Sequence, residues 1–279
     1  MFLKNLLLTV VGFLLILVSF VIYLKWFEKT KVFYPTKIVA ITPKIFNIEY
    51  QEIFYQTKDN TKLYGWFCKK DTFLPTILYC HGNGGNISDR VGVIKLFFDA
   101  GFNVFIFDWR GYGLSEGTPS EKGLYIDVVS SYNYLVNKLN IPSKNIIVYG
   151  ESLGSAPAIY LAARKTVGLL ILNGAFSSAY DMAKTIFPFS PTFLLKTILS
   201  LKFDSISEIK NVHIPTLFIH SKYDEIVPFA LAEKLFKIAN PPKEFYITEG
   251  LHNEALLLNE GVIKKIKNFV KSHFYYEDS

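Results

Sequence analysis

Near the middle of the chain, Gly150-Glu151-Ser152-Leu153-Gly154 lies between an apolar run, Ile146-Ile147-Val148-Tyr149, and a helix-compatible stretch from Ser155 to Lys165. Strand, tight turn and helix in that order are the setting a G-x-S-x-G nucleophile turn requires. The serine must turn so sharply that its backbone enters a sparsely populated conformation, at roughly 1–3 kcal/mol, and side chains two residues to either side would strike strand or helix. Glycine at 150 and 154 meets that demand. The Ser152 hydroxyl then stands clear of the backbone, beside amides of the first helical turn that favour negative charge. A glycine-rich turn with an incidental serine gives the same string, so the reading rests on its partners.

A serine hydroxyl becomes a useful nucleophile when a histidine takes its proton and a carboxylate fixes that histidine's tautomer. On a sheet of this kind the chain order is Ser, then Asp or Glu, then His. Of the five histidines, His81 and His213 come too early to follow the acid, leaving His220, His252 and His273. The strand-like run Thr216-Leu217-Phe218-Ile219 leads into a loop holding Asp224, the candidate acid, with Glu225 its nearest rival. An isolated loop aspartate would more simply satisfy its own turn backbone. The next strand-like run, Glu244 to Thr248, ends in Glu249-Gly250-Leu251-His252, which puts the candidate base His252 at that strand's tip. His273 falls in a Lys-rich helical pattern and reads as a solvated face, and His220 reads as a strand-end residue near the site.

A further strand-like run, Thr76-Ile77-Leu78-Tyr79-Cys80, opens into His81-Gly82-Asn83-Gly84-Gly85-Asn86. One amide of that loop is expected to join the amide after the nucleophile, Leu153, in binding an oxyanion. Asn83 is the choice, with Gly84 as alternative. Cys80 and Cys68 read as buried strand thiols. The Asn86-Ile87-Ser88 sequon lies beside this loop, where a glycan would obstruct it, and reads as unused.

With the His-Gly-Asn-Gly loop, Asp108-Trp109-Arg110-Gly111-Tyr112-Gly113-Leu114-Ser115, the Gly-Glu-Ser-Leu-Gly turn and the Asp224 and His252 loops in place from about Tyr50 onward, the chain resembles α/β-hydrolase-fold serine hydrolases. Within them it is most similar to membrane-anchored α/β-hydrolase-domain proteins, a group that includes eukaryotic protein depalmitoylases. The resemblance implies a serine hydrolase that cleaves an acyl bond in a small-molecule or protein-linked substrate. Asp108 and Arg110 are expected to order their loop through a mutual ion pair. Gly111-Tyr112-Gly113 superficially suggests a dinucleotide fingerprint, but the third glycine is late and Thr118-Pro119 stands where a helix should begin. No pattern for a metal, a nucleotide cofactor or a nucleic-acid module is present.

Strand-like runs near 62–68, 76–80, 103–107, 146–149, 169–172, 216–220 and 244–248 alternate with helical patterns near 87–99, 121–139, 153–165, 230–239 and 261–274. That alternation predicts an α/β fold, a mainly parallel sheet with helices on both faces. Between 173 and 215 it breaks. The apolar residues crowded there, Phe187 and Phe193 among them, suggest a short helical cap with an acyl-binding wall.

At the N-terminus, Leu6 to Leu24 carries no charge. At about 1.5 Å per residue it approaches the roughly 30 Å hydrocarbon thickness of a bilayer. A cleaved signal peptide is the rival, but the sequence is bulky where a small-residue cleavage site should lie. The expected organisation is a single-pass anchor over 1–27, with Tyr23, Trp26 and Phe27 at the interface, followed by a catalytic domain over 28–279. Lys4 precedes the span whereas Lys25, Lys29, Lys31 and Lys37 follow it, placing that domain in the cytoplasm. Two cysteines are compatible with a reducing compartment. The net charge of +6 is scattered and gives little pull toward an anionic surface. The sequence thus favours a membrane-anchored hydrolase of esters or thioesters. A peptidase or lipid esterase of the same fold, and a non-catalytic membrane scaffold, are the alternatives.

Overall fold

The computed structural model describes residues 1–252 and 260–274; residues 253–259 and 275–279 of the expected catalytic segment lie outside it. Its strands are β1 (Tyr34–Pro35), β2 (Gln51–Gln56), β3 (Lys62–Cys68), β4 (Thr76–Cys80), β5 (Gly84–Gly85), β6 (Asn103–Phe107), β7 (Ile146–Glu151), β8 (Leu169–Asn173), β9 (Thr216–Ser221) and β10 (Lys243–Thr248). Its α-helices are α1 (Phe2–Lys31), α2 (Val91–Asp99), α3 (Glu121–Asn137), α4 (Ser155–Ala162), α5 (Ala179–Ile186), α6 (Thr192–Ile198), α7 (Ser205–Glu208), α8 (Phe229–Ile238) and α9 (Glu260–Phe274).

Among the described residues the main sheet has eight strands in the order β10-β9-β8-β7-β4-β6-β3-β2. From β10 to β6 every pairing is parallel; β3 and β2 join antiparallel at the far edge. Central parallel strands are covered on both faces and so are apolar throughout, as the fully buried β4, β6 and β8 are. Alternate residues feed two cores. Leu78, Phe105, Val148, Leu172 and Phe218 pack on one side with α3 and α4 residues such as Leu124 and Ile159. Ile77, Ile106, Tyr149, Ile171 and Ile219 pack on the other with Ile94 and Phe97 of α2 and Val262, Ile266 and Phe269 of α9. Full burial of each such side chain contributes roughly 1.5–3 kcal/mol.

The strand order reverses between β7 and β4, and crevices at the carboxyl ends of strands flanking such a reversal are where α/β sheets bind ligands. Between β8 and β9 the alternation is replaced by α5, α6 and α7, the helical excursion expected over 173–215.

Helix α1 stands apart from the sheet. Its stretch Phe2–Glu28 is long and apolar enough to cross a bilayer, an 18-residue window within it having a mean hydropathy of 2.8. The helix runs on to Lys31, past the boundary expected at residue 27. Its last turns dock on the excursion, where Leu24 is buried with Leu195 and Ile198, and the Glu28 carboxylate accepts the Ser200 and Leu201 amides, each at 2.6 Å.

Candidate active site

Strand β7 ends at Glu151, a single 3-10 turn carries Ser152–Gly154, and α4 begins at Ser155. Ser152 has φ +49°, the strained conformation the turn demands. A Cβ on Gly154 would lie 2.1 Å from the Cys80 carbonyl oxygen, and one on Gly150 would lie 2.7 Å from the Cβ of Ala158. The turn is pressed between the end of β4 and the first turns of α4.

Three loops at the carboxyl ends of β7, β9 and β10 bring their side chains together. His252 Nε2 lies 2.9 Å from Ser152 Oγ, and His252 Nδ1 lies 2.6 Å from Asp224 Oδ2. The other Asp224 oxygen accepts the amides of Ile226 at 3.0 Å and Val227 at 2.7 Å. Burial raises the Asp224 carboxyl, but the hydrogen bond and charge of His252, the Val227 amide and His220 together hold it below the ordinary carboxylate range. An ionised Asp224 only accepts, so the imidazole proton belongs on Nδ1 and the Nε2 lone pair faces the hydroxyl. The arrangement can take a proton from Ser152 without moving a heavy atom far.

The alternatives weighed beside these residues have other partners. Glu225 accepts the backbone amide of His252 at 2.9 Å. His220 bonds the Val227 carbonyl at 2.8 Å, with Nε2 3.4 Å from Asp224, and its burial lowers its pKa. His273 bonds Phe269 and Ser272 on α9. The thiols of Cys68 and Cys80 are buried, Cys68 pushed up to about 12, so neither offers a thiolate near neutrality.

Asn83 and Leu153 line the same cavity as Ser152, and among the described residues the Asn83 amide has no acceptor. The Asn83 side chain is tied to the segment that follows α1. Its carboxamide donates to the Val32 carbonyl and accepts the Tyr34 amide at 3.2 Å and the Tyr112 hydroxyl at 2.9 Å. Strands β1 and β5 pair alongside, and Asn86, fully buried, donates to Thr36 and Ile38. The stretch after the N-terminal helix therefore straps the loop expected to bind an oxyanion, a contact the sequence did not disclose. A second element missed there is Gly174, at φ +64°, where a Cβ would stand 2.9 Å from His252 Cε1.

Two cavities meet at Ser152. One, of about 230 Å³, is walled by Phe176, Met182, Ala183 and Phe187 of the excursion and by Leu24 and Phe27 of α1. The other, of about 660 Å³, is more polar, with Arg90 and Glu151 paired at 3.3 Å beside Tyr79, Asn173 and His252. Phe187 lines the apolar cavity beside Ser152. Phe193 lies on neither cavity and is 72% exposed. Leu195 and Ile198 turn α6 against Leu24, and Phe193, two residues before Leu195, is carried about 200° round the helix from it.

The expected ion pair between Asp108 and Arg110 does not form. Arg110 pairs instead with Asp127 at 2.7 Å and Asp59 at 3.0 Å. Asp108 accepts the Ile87 amide at 2.9 Å and sits 3.7 Å from His81 Nε2, because the strand end turns its side chain inward under the β4 loop. Burial raises Asp108 to about 7, against the Ile87 amide and the charges of Arg90 and Lys37. An unfolded aspartate titrates near about 3.9, so the folded chain holds this proton more tightly. The associated stability is complete below about pH 4 and is lost as pH rises through about 7. Asp108→Asn, which keeps an acceptor for Ile87 but cannot ionise, should therefore lose less Tm than the wild type between about pH 4 and about pH 8. Equal losses in a thermal melt series would contradict this.

Residues 75–205 match the model of a family described as alpha/beta hydrolase fold. Protein bem46 of Schizosaccharomyces pombe is 35% identical over 82% of this chain and 79% of its own. The chain belongs to the α/β-hydrolase family. This α/β-hydrolase is also 33% identical to the alpha/beta hydrolase domain-containing protein WAV2 of Arabidopsis thaliana, over 88% of both chains. Among solved structures, an esterase of Pyrococcus furiosus superposes with a TM-score of 0.71 at 23% identity, over 86% of this hydrolase and 99% of that chain, which speaks to the shared fold.

Proposed function

We propose that this protein is a membrane-anchored serine hydrolase that cleaves carboxylic esters or thioesters of apolar acyl chains. The observation that carries the reading is the placement of His252 within hydrogen-bond reach of both Ser152 and Asp224 at the mouth of an apolar cavity. Ser152 Oγ attacks the acyl carbon as His252 Nε2 takes its proton, and the amides of Leu153 and Asn83 stabilise the oxyanion. The tetrahedral intermediate collapses, the leaving alcohol or thiol takes the proton from His252, and the acyl group stays on Ser152. Water, deprotonated by His252, then attacks the ester and releases the acid. Asp224 remains ionised throughout and stabilises the imidazolium.

The apolar cavity supports an acyl chain as the recognised part, and the polar cavity on the other side of Ser152 suits the alcohol or thiol portion. Retention of α1 as an anchor is favoured over a cleaved leader because Leu24, Phe27 and Glu28 are built into the cap. The lysines that follow the span favour a cytoplasmic catalytic domain.

Each further buried methylene contributes up to about 0.8 kcal/mol. With soluble esters below their micellar concentrations, kcat/KM should therefore rise with acyl length by up to about fourfold per methylene until the cavity is full. Ala183→Leu, which places a larger side chain on the cavity wall, should move the optimum to shorter chains. A profile that peaks at acetate and ignores the substitution would remove the acyl-chain assignment and leave the chemistry at Ser152 standing.

A further inference from the structure

Beyond the catalytic cavity, the N-terminal helix and the cap enclose a second apolar space. It holds about 460 Å³ and lies between Phe13, Leu17 and Phe20 of α1 and the cap turn Ile186–Pro191. Ile186 and Phe187 line this groove and the cavity at Ser152 alike. The Phe187 ring is the partition. It packs edge-on against Phe20, Tyr23 and Phe27, with ring centroids at 6.2, 6.4 and 5.8 Å. These are contacts between side chains.

The position of the groove identifies what fills it. Phe13 to Phe20 is the middle of the apolar stretch Phe2–Glu28. Measured along the helix, Phe13 lies about 16 Å beyond Leu24, where the cap first docks. If α1 spans a bilayer, the cap turn lies beside it within the hydrocarbon, well below the headgroups. The turn is suited to that solvent. Phe189 is 98% exposed and Ile186 52% exposed, Pro188 and Pro191 have no amide proton to leave unpaired, and the Ser190 carbonyl accepts the Lys184 amine at 2.7 Å while the Ser190 amide donates to Phe187. Irregular backbone at bilayer depth requires such internal partners. In water the same face would expose an aromatic patch for nothing.

We propose that the groove is a binding site for a lipid acyl chain, and that it loads the catalytic cavity sideways from the leaflet, with Phe187 as the gate. The substrate is then an acyl group already resident in the membrane, its carbonyl end delivered to Ser152 with the chain trailing in the groove along α1, and α1 is one wall of its path. This rests on the serine-hydrolase reading above.

The test uses the full-length protein in phosphatidylcholine vesicles and a hexadecyl fluorophosphonate carrying a diazirine at the far end of its chain. After reaction and irradiation, cross-links should fall on the α1 segment 13–20 and the cap segment 186–194. Leu17→Trp, which fills the groove, should remove the α1 cross-links. It should also lower the ratio of kcat/KM for a palmitoyl ester in vesicles to that for a soluble butyrate ester roughly tenfold, the contact worth of about two methylenes. A phosphonate on Ser152 with no cross-link to either segment, or an unchanged ratio in Leu17→Trp, would overturn the leaflet route while leaving the hydrolase reading intact. Absence of any adduct on Ser152 would overturn both.

Discussion

Replacing Ser152 with alanine is expected to lower kcat roughly a million-fold, to the level that binding and oxyanion stabilisation alone can sustain. The size of the loss follows from the covalent step: without Oγ no acyl-enzyme forms, and His252 has no hydroxyl to deprotonate within 2.9 Å. The loss should come with little change in fold. The positive φ at residue 152 belongs to a turn packed so closely that a Cβ at Gly150 or Gly154 would clash, and alanine tolerates it about as poorly as serine does. A near-native melting temperature with no turnover is therefore the expected pair of results.

Asp224→Asn should lower kcat by about four orders of magnitude while the chain folds normally. Asparagine keeps an oxygen for the Ile226 and Val227 amides. However, its amide can donate to Nδ1, which drives the imidazole proton onto Nε2 and turns the base away from Ser152. The neighbouring groups give the internal control. Glu225→Gln retains an acceptor for the His252 amide, and His220→Gln retains a donor for the Val227 carbonyl. Each should cost far less than Asp224→Asn in steady-state kinetics. A loss at Glu225→Gln equal to that at Asp224→Asn would show that the acid had been misplaced by one residue.

Much of the fold was legible because central parallel strands are apolar on both faces and end in loops rich in Gly, Asp and His. The runs at 76–80, 103–107, 146–149 and 216–220 could be read directly, and the loops after them carried Asn83, Ser152 and Asp224 with them. Strand β2 was missed because it is an edge strand, with Ile53 and Tyr55 facing inward between exposed Glu52, Phe54 and Gln56. Charge pairing was misread where sequence proximity stood in for direction: Asp108 turns under the β4 loop whereas Arg110 reaches Asp127 on α3. Phe193 was singled out over Leu195 and Ile198 because apolar crowding does not reveal which side of a short helix faces in. The strap from Val32 to Ile38 and the wall contributed by α1 were invisible for a related reason. They depend on contacts between segments far apart in the chain, such as Glu28 with Ser200 and Asn83 with Val32. An apolar N-terminal helix has the composition of a membrane span or a signal sequence, and neither reading points to a place beside a binding cavity.

The central claim is that Ser152 carries the acyl group during turnover. The most direct measurement is peptide mapping by mass spectrometry of the full-length protein after reaction with a fluorophosphonate. A single adduct on Ser152, absent from Ser152→Ala and strongly diminished in His252→Ala, is the result expected. An adduct on another residue, or undiminished labelling of folded Ser152→Ala, would contradict the account.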